Sequence, residues 1–343
     1  MIDNKINKNN DNNMHKIIII GSGPAGLTAA IYAARGGMEP IVISGYQPGG
    51  QLILTSDVEN FPGFNEPVLG SDLMTKMRNQ AERVGTKFIN KSAITVDFST
   101  KPFNVVIDGS PDVNIIDNNG ITHNNNNNIK NKEDAILLAE SIIIATGASA
   151  MWLGLESESR LKGRGVSVCA TCDGFFFRNK DVVVVGGGDT ALEEALFLTR
   201  LVKSVIIIHR RNELRASKIL QQRVSYNPKI SFIWNTIVED ILGQDKVEGI
   251  KIKNTKTDEM IEIKCDGVFI AIGHKPNTDI FRGQVEIDDK GYIKRYEETK
   301  TSVEGIFVAG DAFDYAYRQA ITAAGSGCKA SLDALRYLEL NFE

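Results

Sequence analysis

Lys16-Ile17-Ile18-Ile19-Ile20-Gly21-Ser22-Gly23-Pro24-Ala25-Gly26 decides how this chain is read. A β-branched run ends in G-x-G-x-x-G, a small-residue stretch from Ala25 to Arg35 follows, and a second apolar run comes at Pro40–Ile43. Strand, glycine turn, helix and strand form the opening unit of a doubly wound parallel sheet. Glycines in that turn let backbone N–H groups approach a pyrophosphate at the helix N-terminus. Ser22, Gly23, Pro24, Ala25 and Gly26 are therefore candidate dinucleotide contacts. The acid expected at the end of the second strand is missing. Ser44 occupies that region, which leaves ribose recognition by a carboxylate in doubt.

The same device recurs 165 residues later: Asp181–Val185, then Gly186–Gly188, a helix read through Leu201, and a strand at Ser204–Ile208. Gly187, Gly188, Asp189 and Thr190 are the matching candidates. Here the second strand runs into His209-Arg210-Arg211, with Arg215 four residues on. An acid would repel a 2′-phosphate, whereas guanidinium forks bind one through charge-assisted hydrogen bonds. This turn is expected to take NADPH rather than NADH; the competing reading is a solvated basic helix start. Glu193 and Glu194 are read as complementing the helix dipole.

With 343 residues, the expectation is about two domains. The 42% hydrophobic and 24% charged fractions are those of an ordinary globular chain. No apolar run reaches the roughly 18 residues of a membrane helix. A net charge of −4 weighs against nucleic acid or an anionic membrane as partner. Residues 1–14 read as a disordered Asn-rich leader without the marks of a targeting signal, so a cytoplasmic location is expected. A second Asn-rich tract, within about 110–133, has eight Asn in residues 118–131. It reads as a solvated insertion between strands that adds nothing to the chemistry.

Four cysteines are too few for a secreted disulfide scaffold. Two of them form Cys169-Ala170-Thr171-Cys172, followed by Asp173-Gly174 and Phe175 to Phe177. A zinc site needs a second ligand pair, and Cys265, Cys328 and the four His are scattered singly, so no metal is expected. A lone C-x-x-C reads as a redox dithiol. Asp173 is either a proton donor and acceptor for it or a turn residue before Gly174. Cys265 and Cys328 read as inert thiols.

Taken together, these segments resemble the low-molecular-weight thioredoxin reductases, two-dinucleotide flavoprotein disulfide reductases, from about Lys16 to Leu340. The resemblance rests on the first glycine turn, Gly49-Gly50-Gln51-Leu52, Val58-Glu59-Asn60-Phe61-Pro62-Gly63 and Ala145-Thr146-Gly147-Ala148. Cys169 to Gly174, Gly310-Asp311 and Arg318-Gln319-Ala320 complete it. It implies an α/β fold of two doubly wound Rossmann-like domains, with the NADPH domain (151–275) inserted between the two parts of an FAD domain (15–150 and 276–343). It also implies that Ser22 to Gly26, Ser44, Gly50, Gln51, Asn60, Ala145, Gly147, Gly310, Asp311, Arg318, Gln319 and Ala320 hold FAD. A neutral residue at Ser44 is usual in such reductases.

The resemblance further implies that Cys172 faces the flavin, Cys169 attacks the disulfide of thioredoxin, and Asp173 is the acid–base group. A homodimer is implied likewise. Because the nicotinamide site and the dithiol share one unit, that unit is expected to rotate between two poses, with Gly147, Gly273 and Pro276 as hinge or mere turn residues. Phe175 and Phe176, with Arg164, are either partner contacts or core aromatics. The alternative function is a related flavoprotein thiol oxidase, or a reductase of another small disulfide protein. Arg210, Arg211 and Arg215 weigh against the oxidase.

Overall fold

Runs of β-branched residues with hardly a polar interruption make the parallel centre of two sheets. The computed structural model describes residues 14–46, 48–54, 57–109, 115–116, 122–123 and 134–342. The Asn-rich leader and nearly all of the Asn-rich insertion lie outside the described residues. The chain forms two compact units. One is built from the described residues within Met1–Asp57, Phe61–Ser149 and Pro276–Glu343; the other from Val58–Asn60 and Ala150–Lys275. Val58–Asn60 thus groups with the second unit, although the sequence reading put it in the first.

In the first unit, the strands run in the order Lys87–Ile89, Ile41–Ile43, Met14–Ile20, Ala135–Ile144, Phe103–Ile107, Ala93–Asp97. Ile306–Val308 also pairs with Ala135–Ile144. That ten-residue strand serves two neighbours in succession. Its first half pairs antiparallel, Ala135 opposite Ile107 through Ala139 opposite Phe103. Its last three residues pair parallel, Ile142 opposite Ile306 through Ile144 opposite Val308. Ile17 to Ile20 are at most 3% exposed, as expected of a parallel strand covered on both faces. The helices Pro24–Arg35 and Ala320–Phe342 pack together so closely that a Cβ on Gly327 would stand 2.0 Å from the Ala25 carbonyl oxygen.

The second unit has a five-stranded parallel sheet: Val166–Ser167, Gly267–Ile270, Asp181–Val185, Ser204–His209, Ile230–Trp234. An antiparallel sheet follows from Thr236–Leu242, Gly249–Asn254 and Met260–Lys264. The helix after the second glycine turn spans Asp189–Leu198 and stops short of the expected Leu201. Leu201 instead closes a turn, donating its N–H to the Leu198 carbonyl and accepting from Asn179.

Both glycine turns share one geometry. Gly21 N–H donates to the Ile43 carbonyl at 2.9 Å, and Gly186 N–H to the Ile208 carbonyl at 3.0 Å. With φ of +116° and +157°, each approaches the chain that leaves the neighbouring strand. A Cβ on Gly21 would lie 2.2 Å from the Ala145 oxygen, and one on Gly186 would lie 2.4 Å from the Ala271 oxygen. Only glycine fits either place. Gly327→Ala must push the C-terminal helix off backbone atoms, at about 1–3 kcal/mol. It is expected to lower the melting temperature by several degrees in calorimetry.

Candidate functional site

The first turn is shaped by two serines whose side chains face inward. The buried Ser22 hydroxyl donates to the Ser44 carbonyl at 3.0 Å and accepts the Gly49 N–H at 3.1 Å. The Ser44 hydroxyl bonds the Asn90 side-chain oxygen at 2.8 Å and the Ile89 carbonyl at 3.0 Å. Three loops are joined in this way, and Gly50 comes to rest against Gly23, where its Cβ would be 3.2 Å from the Gly23 Cα. Gln51 is exposed in the 3-10 turn Gly50–Leu54.

Gly23 itself, at φ −72°, would meet no atom within 4 Å if it carried a Cβ. Nothing among the described residues demands glycine there. The bare backbone leaves a cradle at the start of Pro24–Arg35, a helix whose N-terminus no side chain caps. An uncapped helix start with open glycine backbone suits an anionic phosphate.

Other candidates of the first unit line up on neighbouring strand ends. Ala145 is buried and donates to the Ile20 carbonyl at 2.8 Å. The Thr146 hydroxyl is buried without a hydrogen-bond partner among the described residues. Asn277 donates to the Gly147 carbonyl from its backbone and to the Thr146 carbonyl from its amide, each at 3.0 Å. Gly310 N–H donates to the Ser326 hydroxyl at 2.8 Å. Burial, aided by Asp314 and opposed by Arg318, pushes the Asp311 carboxyl up to about 7. The Gln319 amide donates to the carbonyls of Tyr317 and Arg318, and Ala320 opens the C-terminal helix. The cradle at Gly23 and the unpaired Thr146 hydroxyl fit a bound dinucleotide. Asn60, exposed, falls in the second unit.

In the second unit, Gly188 repeats the feature of Gly23: a Cβ there meets nothing within 4 Å, and no side chain caps Asp189–Leu198. Gly187 instead packs on the His209 ring, 2.3 Å from where its Cβ would be. His209 is buried, its Nε2 is 3.0 Å from the Glu213 carbonyl, and its pKa is lowered chiefly by burial. The Gly187 carbonyl accepts the N–H groups of Arg215 and Ala216 at 2.9 and 3.2 Å. The Asp189 carboxyl accepts the Ser217 N–H at 2.6 Å, and Thr190 is half-buried. Histidine and aspartate thus hold the loop that carries the arginines. Arg210, Arg211 and Arg215 are exposed, and among the described residues none pairs with a carboxylate.

Cys169 and Cys172 are disulfide-bonded, with Cα atoms 5.3 Å apart. Cys169 caps the short helix Ala170–Asp173, and Cys172 N–H points at Cys169 Sγ from 3.2 Å. Burial raises the Asp173 carboxyl above the usual range, and a hydrogen bond with Ser167 opposes it. Phe175 and Phe176 are 52% and 39% exposed. Phe177 is core, edge-on to Phe269. Burial pushes the Cys265 thiol up to about 12, and Cys328 is half-buried beside Tyr32. Among the described residues there is no cluster of three metal-ligating side chains, and no helix is long and apolar enough to cross a membrane.

Sequence reasoning missed Thr146, Ser167, Asn277 and Ser326. Ser167, two residues before the first cysteine, had a signal in its closeness. Asn277 had none, since its partners lie some 130 positions away.

Two dinucleotide turns, each at the carboxyl end of an interior parallel strand, and one bonded C-x-x-C define a redox protein of the two-dinucleotide class. Comparison with known proteins agrees. The model of the pyridine nucleotide-disulphide oxidoreductase family matches residues 15–327. A thioredoxin reductase of Rickettsia felis is 52% identical over 94% of this chain and 98% of its own. One from Streptomyces clavuligerus is 49% identical over 95% and 94%. The solved thioredoxin reductase of Giardia duodenalis is 38% identical with a TM-score of 0.84, covering 95% of this chain and 99% of its own. The chain belongs to the pyridine nucleotide-disulphide oxidoreductase family, and that membership carries the use of a flavin and a pyridine nucleotide.

Gly23→Ala and Gly188→Ala have room in the protein and are expected to keep its melting behaviour. Each should lose its own dinucleotide: absorbance near 450 nm for Gly23→Ala, and pyridine-nucleotide binding by calorimetry for Gly188→Ala.

Proposed function

We propose that the chain is an NADPH-dependent thioredoxin-disulfide reductase acting through FAD and the Cys169–Cys172 pair. The observation that carries this reading is the disulfide itself, closed across a four-residue helix in the unit that also holds the arginine-flanked turn. Relatives named thioredoxin reductase, at 46–52% identity, support thioredoxin as the substrate.

FAD would be held by the backbone of Gly23 to Gly26, by Gly50 and Gln51, and by Ala145 to Gly147, Asp311 and Arg318 to Ala320. NADPH would lie on Gly187 to Thr190, its 2′-phosphate on Arg210, Arg211 and Arg215. Bound flavin supplies the two-electron relay between nicotinamide hydride and the disulfide. Once the pair is reduced, the Cys169 thiolate attacks one sulfur of the substrate disulfide and expels the other as a thiolate. The Cys172 N–H aimed at Cys169 Sγ favours charge on that sulfur. Asp173, whose proton affinity burial raises, would give its proton to the departing thiolate and recover one from the Cys172 thiol. Cys172 then attacks Cys169 Sγ, re-forming the disulfide and releasing the second substrate sulfur, which takes a proton from water.

The reading has the second unit present its dithiol and its nucleotide to the flavin in turn, with Gly147, Gly273 and Pro276 near the crossings as hinges. Exposed Phe175 and Phe176, with Arg164, support a docking patch for thioredoxin. A cytoplasmic homodimer completes it, supported by the family resemblance and by the reducing surroundings that such a dithiol serves.

Cys169→Ser is expected to keep flavin bleaching by NADPH and to lose thioredoxin reduction by roughly three orders of magnitude. Turnover at the wild-type rate would refute the assignment. Replacing Arg210 and Arg211 by Ala should raise KM for NADPH about 10- to 100-fold while leaving that for NADH unchanged in steady-state assays.

A further inference from the structure

Between the two bonded cysteines stand Ala170, which is buried, and Thr171, which is exposed. A C-x-x-C can close without any hydroxyl between its ends, yet the Thr171 Oγ1 lies 3.3 Å from the Cys169 Sγ. A sulfur in a disulfide carries no hydrogen, so the hydroxyl is the donor. The same sulfur receives the Cys172 N–H at 3.2 Å. The main chain of Cys169 is held as well. Its N–H donates to the Ser167 Oγ at 3.0 Å, and its carbonyl accepts the Asp173 N–H at 3.1 Å. None of these contacts is made through the S–S bond, so all of them remain available to the reduced pair.

We propose that Thr171 is a catalytic residue of the dithiol: its hydroxyl donates to the Cys169 sulfur and, with the Cys172 N–H, stabilises that sulfur as the thiolate that attacks the substrate disulfide. This rests on the role given to Cys169 above. A thiol must lose its proton before it attacks, and hydrogen bonds given to the charged form lower its pKa. In the attack, the thiolate's electron pair forms the new S–S bond while the substrate S–S bond breaks toward its other sulfur. The Thr171 proton stays on oxygen throughout; its work is done on the waiting thiolate. The ionisable groups on the elements that carry or pack against the pair are Asp173 on the same helix, Arg164 before the strand Val166–Ser167, Arg178 after the phenylalanines, and Asp189, Glu193 and Glu194 on the helix Asp189–Leu198. Exchanging threonine for valine changes none of these charges and keeps the branched shape, so it reads the hydroxyl alone.

The test is the pH profile of Cys169 alkylation by iodoacetamide in the FAD-loaded Cys172→Ala variant, with modification of Cys169 followed by mass spectrometry. Adding Thr171→Val should move the midpoint upward by about one pH unit without lowering the high-pH plateau, because a more basic thiolate is no weaker a nucleophile. Thr171→Ser should return the midpoint to its original place. With both cysteines present, Thr171→Val should slow single-turnover reduction of thioredoxin by the reduced enzyme about threefold at pH 7. If the valine variant does not fold, Thr171→Ala carries the same expectation. An unmoved midpoint, with or without a lower plateau, would overturn the proposal. A moved midpoint with an unslowed attack would count against Cys169 as the attacking sulfur, and with it the reading on which the proposal rests. Failure of the wild-type enzyme to reduce thioredoxin would count against the substrate alone, because alkylation needs none.

Discussion

At the carboxyl edge of each sheet, a glycine passes so close to a neighbouring carbonyl that no side chain can stand between them. Gly21 does this at Ala145, and Gly186 does it at Ala271. The close pass lets the chain turn at once from strand to helix, so the helix N-terminus opens at the strand ends with its first N–H groups unpaired. The open backbone at Gly23 and Gly188 follows from that turn. So does the register of the loops that surround each of them.

What differs between the two turns is the chemistry that the second strand delivers. In the first unit, that strand ends in Ser44, whose hydroxyl is spent on Ile89 and Asn90. The loop there is neutral and tightly knit. In the second, it ends in His209 and three arginines. The histidine turns inward to support Gly187, and the guanidinium groups are left exposed, without a carboxylate partner among the described residues. Exposed cations around an uncapped helix start suit an anionic ligand. One backbone device thus sits in two electrostatically different surroundings.

The dithiol depends on a different constraint, the shortness of its helix. With two residues between them on one helical turn, Cys169 and Cys172 come within bonding distance, and the next residue, Asp173, is half-buried at the end of the same helix. Gly174 lies close against Leu198 and Leu201, so the short helix packs on the end of the helix Asp189–Leu198. Burial, in turn, raises the proton affinity of Asp173.

The glycine turns, the arginine cluster and the C-x-x-C were legible in the sequence because each is local: its chemistry and its spacing lie within a dozen residues. Strand and helix types around them were legible for the same reason, since period and β-branching are local properties. The double pairing of Ala135–Ile144 was not, because Ile306–Val308 joins it from some 160 residues away. Nor was the direction in which a side chain points. His209 and Arg210 are neighbours, yet one is buried behind a glycine and the other meets water. Ser167 and Asn277 gain their meaning only from partners that other segments bring to them, and Thr146 only from the burial that leaves its hydroxyl unpaired among the described residues. The sequence by itself determined where the backbone must turn and which reactive groups exist; tertiary packing alone decided which of them are spent on structure and which remain for chemistry, because burial and hydrogen-bond partners are set by distant segments.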